Sequence, residues 1–104
     1  MAVLHDEARE AALKGLSGWR YDADARALRR TFRFRDFSEA FGFMARVALE
    51  AEKADHHPDW SNSYARVEVS LQTHSAGGVT ALDTALAAKM DRIAASLAER
   101  GLGD

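Results

Sequence analysis

The sequence predicts an α+β fold, with three helices on one face of a four-stranded antiparallel sheet in the order α-β-β-α-β-β-α. Three stretches, near residues 2–16, 37–54 and 82–97, repeat apolar side chains at helical spacing. Two stretches between them, near 18–35 and 60–71, alternate apolar and polar residues with period two. The connection within the second pair of strands is tight, so an antiparallel pairing is expected there. The helices cover the apolar face of the sheet, and the face rich in Arg, Thr, Ser and Gln is left to meet water or another subunit. At 104 residues the chain suits one compact domain.

In residues 2–16, Leu4, Ala8, Ala11 (or Ala12) and Leu16 make a thin stripe on a short helix that ends at Ser17-Gly18. Trp19 and Tyr21 then begin a hairpin over 18–35, turning at Asp22–Arg26. Its second strand sets Leu28, Arg30, Phe32 and Phe34 against Arg29, Thr31, Arg33 and Arg35. Asp36 with Glu39 reads as a capping box. The central helix follows to about Ala54, with Phe37, Phe41, Met44, Val47 (or Ala48) and Ala51 as its core stripe. Gly42 and Ala45 are small enough for another backbone to come close.

Pro58 lacks an amide proton and forces His57 toward extended backbone, so the helix is over before it. Trp60, Asn62 and Tyr64 suggest a short strand, and Val67, Val69 and Leu71 a stronger one. Ser75–Gly78 is a loop, and Thr80 with Asp83 marks a helix start. Leu82, Leu86, Met90, Ile93 and Leu97 form the final stripe, which is expected to fray by Gly101.

Composition removes several classes of function. Fourteen Lys and Arg against sixteen Asp and Glu give a net charge of −2, with no bulk drive toward nucleic acid or anionic lipid. The basic side of the second strand reads as a solvated face rather than an RNA surface. There is no cysteine, hence no disulfide, thiolate nucleophile or cysteine metal site. Apolar runs are too short for a bilayer span, and the acid-bearing N-terminus does not read as a signal peptide, so a cytoplasmic protein is expected.

The stretch Glu52–His74 holds three of the four histidines; His5 reads as a surface residue. Imidazole exchanges protons near neutral pH, which suits general acid/base work. His56 falls near the end of the central helix, where exposed carbonyls favour its charged form. Glu52, four residues earlier, falls on about the same helix face as His56. His57, held extended before Pro58, projects another way, and His74 closes the next strand. If that strand runs beside the helix terminus, the three imidazoles meet in one pocket. No metal site is expected, because the helical His-Glu-x-x-His spacing is absent and adjacent histidines rarely reach one ion. Neither a Gly-x-Ser-x-Gly elbow nor a glycine-rich phosphate loop occurs.

Glu52, His56-His57-Pro58, Trp60, Tyr64, His74 and Asp83, with the run Asp36–Trp60, resemble the pterin-4a-carbinolamine dehydratase family over Trp19–Ile93. The resemblance implies dehydration of 4a-hydroxytetrahydropterin to quinonoid dihydropterin, in tetrahydrobiopterin recycling behind an aromatic amino acid hydroxylase, with no metal or organic cofactor. By position it implies His56 and His74 as the acid/base pair, His57 as a substrate-binding residue and Glu52 as a support. It implies Pro58, Thr73, Ser75 and Ala76 as the pterin pocket, with Trp19 and Asp83 near the site. The residues alone leave Asp83 the other role of capping the last helix. Animal members commonly carry an arginine where this chain has Leu82, so packing is expected there in place of an ion pair. The resemblance also implies a homodimer or homotetramer. It leaves two other readings, an interaction module like the animal relatives that bind a homeodomain factor, and a molybdopterin-linked role.

Overall fold

A computed structural model describes residues 2–103, with side chains through Leu97. Its elements follow the expected order: α1 (Asp6–Leu13), β1 (Arg20–Asp22), β2 (Ala27–Arg33), α2 (Phe37–Ala54), β3 (Asp59–Ser63), β4 (Arg66–Leu71) and α3 (Ala81–Gly103). The backbone of α3 stays helical through Gly103, past the fraying expected by Gly101.

The sheet is antiparallel in strand order β1-β2-β4-β3, so the two hairpins join along β2 and β4. Leu28 lies opposite Leu71, Arg30 opposite Val69 and Phe32 opposite Val67. Side chains alternate along a strand, so these six residues share the face beneath the helices. Five of them are buried with Ala40, Phe43, Val47 and Ala51 of α2 and Leu86, Ala87, Met90 and Leu97 of α3. Each large apolar side chain removed from water there contributes roughly 1.5–3 kcal/mol. Arg30 is the charged exception. Its guanidinium lies 4.1 Å from the Phe32 ring centroid and donates to Asp91 Oδ1 of α3 at 2.6 Å. The opposite face presents Thr31, Arg33, Arg66 and Glu68 to solvent.

α2 starts as expected, with the Glu39 amide donating to Asp36 Oδ1 at 2.8 Å. Val47 and Ala51 of the expected core stripe are buried, but the first half of that stripe differs. Ala40, Phe43, Val47 and Ala51 face the sheet, while Phe37 and Phe41 are 49% and 58% exposed. Both sets recur at helical spacing. They share Val47 and Ala51 and part in the first turns, where docking onto the sheet selects Ala40 and Phe43 over Phe37 and Phe41.

α1 is shorter than the expected 2–16 and buries no residue of its own. The chain leaves it through single turns, Leu16 N–H to Leu13 O and Trp19 N–H to Leu16 O, which bring Leu16 and Trp19 into the core. In the first hairpin, the Ala25 amide and the Arg29 guanidinium hold the Asp22 carboxyl below its ordinary range. In the second, Tyr64 belongs to the turn and not to β3. It has φ of 51° and is exposed, and Asn62 Nδ2 donates to the carbonyls of Tyr64 and Arg66 to close that turn.

Candidate active site

The geometry starts where α2 stops. Asp55 adopts φ of 50°, its amide donating to Glu52 O and the His56 amide to Ala51 O. These bonds make a Schellman-type ending with aspartate in the left-handed position usually held by glycine. The reversal takes His56 off the helix surface and turns its side chain inward. Helical spacing from Glu52 therefore fails at His56. The expected Glu52–His56 neighbourhood is replaced by a Glu52–His57 pair, with Oε1 2.8 Å from Nε2.

His56 is buried, and its Nε2 lies 2.6 Å from Asp83 Oδ1, across 27 residues of sequence. Ala51 O and Glu52 O of the last α2 turn accept backbone amides, and the partner of the imidazole is a carboxylate. Asp83 is 0% exposed, with both carboxylate oxygens engaged. Its Oδ2 accepts from the Thr80 amide at 2.8 Å and from Thr73 Oγ1 at 2.9 Å. The single Thr73 hydroxyl proton is thereby used, so in the 2.7 Å contact between the two hydroxyls Thr80 Oγ1 is the donor. Thr80 Oγ1 in turn accepts from the Leu82 amide at 3.2 Å. The Thr80–Asp83 arrangement is a reciprocal cap on α3 with aspartate in the third position. The capping role and a place beside the histidines are both true of Asp83. Leu82 is half-buried and outside the core cluster.

His74 lies in a turn closed by Thr73 N–H to Gly78 O and by Gly77 at φ of 75°. Its Nε2 lies 3.2 Å from Asp59 Oδ2, one residue beyond Pro58. Two bridges thus join the α2–β3 junction to the β4–α3 loop: His56–Asp83–Thr73, which is buried, and Asp59–His74, which is exposed. They gather His56, His57 and His74 at one end of the sheet. His57 and His74 remain open to solvent, with side chains 56% and 71% exposed.

In all three pairs the carboxylate meets Nε2. An ionised carboxylate only accepts, so Nε2 carries the proton and Nδ1 is the nitrogen left to exchange one. In the neutral ring Nδ1 is a base, and in the imidazolium it is an acid. The carboxylate also orients the ring, as in acid/base sites generally.

Other expected site residues fall differently. Pro58 is half-buried, Ser75 exposed and Ala76 half-buried, flanking His57 and His74 in the chain. Thr73 is buried, with its hydroxyl committed to Asp83. Trp19 is not brought to the histidines. Its indole packs edge-on against Phe32, and Nε1 donates to Asp91 Oδ1 at 2.8 Å, eight residues and about 12 Å along α3 from Asp83. Asp91 lines a cavity of about 690 Å³ with Arg30, Phe32, Phe34, Glu39 and Ala94, away from the histidine end. Asp59 and Thr80 belong to the site and were not anticipated in it. Thr80 carried a capping signal only, and Asp59 carried none beyond adjoining the His-His-Pro run. Among the described residues no cluster of three or more His, Cys, Asp or Glu is arranged to hold a metal ion. Among them, too, no helix is long and apolar enough to cross a membrane.

Comparison with known proteins identifies the family. The family model for pterin 4 alpha carbinolamine dehydratase matches residues 2–93. A provisionally named pterin-4-alpha-carbinolamine dehydratase of Afipia carboxidovorans is 63% identical over 93 residues, covering 89% of this chain and 93% of the relative. One from Bradyrhizobium sp. (strain ORS 278) is 62% identical over 94 residues, covering 90% and 94%. A crystal structure from Brucella melitensis, described as a transcriptional coactivator/pterin dehydratase, superposes with a TM-score of 0.86 at 52% identity, covering 88% of this chain and 98% of that one. The chain belongs to the pterin-4a-carbinolamine dehydratase family, a family of hydro-lyases.

Proposed function

We propose that the chain dehydrates a 4a-hydroxytetrahydropterin to the quinonoid dihydropterin and water, with His56 and His74 as the general acid/base pair. The C4a–O bond breaks as an imidazolium Nδ1 delivers its proton to the leaving hydroxyl. A neutral imidazole Nδ1 takes the proton from ring nitrogen N5, and the electrons of that N–H bond become the new C4a=N5 bond. Water leaves, and each imidazole ends in the other's protonation state. The balance closes on two imidazoles, so the step calls for no metal and no organic cofactor. His57, steadied by Glu52, binds the substrate beside Pro58, Ser75 and Ala76. The observation that carries this reading is the placing of three imidazoles at one end of the sheet, each with a carboxylate on Nε2. Recycling of tetrahydrobiopterin in the cytoplasm, behind an aromatic amino acid hydroxylase, is the setting that such a step serves.

Decay of freshly generated 4a-hydroxytetrahydropterin, followed by absorbance with and without chelator, tests the proposal. The protein is expected to accelerate decay equally in both conditions. His56→Ala and His74→Ala should each lose about 100-fold, within the range of a general acid or base. No acceleration by the folded protein overturns the reading.

A second observation favours association. Phe37 and Phe41, with ring centroids 6.1 Å apart, and Leu49, 65% exposed, lie on α2 beside Gly42, where an added Cβ would meet nothing within 4 Å. A glycine inside a helix costs about 1 kcal/mol relative to alanine, and close approach of another chain is a reason to keep it. Copies of this chain pair through that face into a homodimer or homotetramer. Sedimentation velocity reads this directly: Phe41→Ser should shift the protein to a smaller species, and an unchanged species overturns it. The coactivator description of the Brucella melitensis relative supplies the alternative, a non-catalytic interaction module, which would survive replacement of all three histidines.

A further inference from the structure

His74 differs from the other two imidazoles in how it is held. The backbone around it is tied down from two sides. Thr73 N–H donates to Gly78 O at 2.9 Å, and the Ala76 and Gly77 amides return to Thr73 O at 3.0 Å. From the N-terminus, the Leu4 amide donates to Val79 O at 2.8 Å. Val3 packs so closely on Gly78 that an added Cβ would stand 3.2 Å from its Cγ1. This bonding places the Cα of His74 and leaves its ring to rotate, since the side chain is 71% exposed. The polar group that meets the ring is the Asp59 carboxylate, at 3.2 Å from Nε2.

We propose that Asp59 is the positioning residue of His74, holding it as the Nε2–H tautomer so that Nδ1 is the atom that exchanges a proton with the pterin. The inference rests on the dehydratase reading and adds to it a residue that acts through His74. Asp59 suits the task because its own backbone is fixed independently. It is the first residue of β3, paired in register with Ser70 of β4, so its carboxylate leaves from a set point on the sheet edge. Its side chain is 65% exposed, and nothing in the core depends on it. The pair contributes direction and not stability. A ring free to rotate spends part of its time with the wrong nitrogen toward the substrate. That loss falls on the chemical step, whereas affinity for the pterin comes from contacts elsewhere.

The test joins a kinetic and a spectroscopic arm on the full-length protein. Asp59→Asn is expected to lower kcat about tenfold with KM and thermal stability unchanged. Asp59→Glu should recover part of the loss. In a His74→Ala background, Asp59→Asn should cost nothing further, because the group it acts through is gone. Independently, the ¹⁵N imidazole shifts of His74, assigned by their disappearance in His74→Ala, should report the Nε2–H tautomer in the parent and a mixture in Asp59→Asn. An unchanged tautomer signature in Asp59→Asn overturns the inference whether or not the dehydration assay succeeds. So does a kcat loss that adds in full to that of His74→Ala. A changed signature in a protein that accelerates no decay upholds the hold of Asp59 on His74 and overturns the proposed reaction instead.

Discussion

His56 and His74 each meet a carboxylate through Nε2, yet one pair lies inside the protein and the other stands in water. Asp83 is wholly buried and accepts three hydrogen bonds, from an imidazole, a hydroxyl and a backbone amide. Asp59 is exposed and meets one ring. Around Asp83 the low dielectric strengthens each bond and makes an orphaned partner costly. Around Asp59 water competes for both groups, and an exposed pair is worth at most about 1 kcal/mol. The same pairing chemistry therefore does two jobs. The buried carboxylate of α3 ties the α2–β3 junction to the loop after β4 and fixes an imidazole as a consequence. The exposed one orients a ring and leaves the fold alone.

Breaking the buried pair should produce the largest effect. Asp83→Ala leaves His56 Nε2, Thr73 Oγ1 and the Thr80 amide without their acceptor, and its unfolding free energy in urea should fall by about 3–5 kcal/mol. A milder change sharpens the comparison. Asp83→Asn keeps one carbonyl oxygen for the Thr80 and Thr73 donors and turns an amide N–H toward His56. The stability loss should drop to about 1–3 kcal/mol. To accept that N–H, His56 must give up its Nε2 proton and carry it on Nδ1, the wrong tautomer for a base. Dehydration should then fall about 100-fold in a protein that is still folded, read by the absorbance assay beside circular dichroism. The smallest effect belongs to the other exposed pair. Glu52→Gln should change unfolding free energy by no more than about 0.5 kcal/mol, with the difference shrinking further in high salt. A loss of several kcal/mol there would mean that exposure does not separate the pairs as described.

The element order and the boundaries of the main helices were legible because periodicity is local. Alternation at Val67, Val69 and Leu71 can satisfy only a half-buried strand, and Leu86, Met90 and Leu97 only a helix with one covered side. The Thr80–Asp83 cap was legible for the same reason, since both partners lie within one turn. The face of α2 was not. Phe37 and Phe41 are as apolar as Phe43, and nothing within the helix ranks one stripe above the other; the surface it docks on does. Tyr64 read as a strand residue by alternation, but the two-residue connection to β4 claims it for the turn. Trp19 was placed near the site by resemblance, while its indole belongs to the Arg30–Asp91 pair at another part of α3.

The histidines themselves, the proline that follows them and the family they resemble stand in the sequence, because side-chain identity and short spacing are all they require. Which carboxylate holds which imidazole was settled in three dimensions. Glu52 lost His56 to the left-handed turn at Asp55, and the partners of His56 and His74 come from 27 and 15 residues away. Spacing along one helix or strand is dictated by backbone geometry. A meeting between the end of α2, the start of β3 and the loop before α3 exists only after the sheet has set their distances.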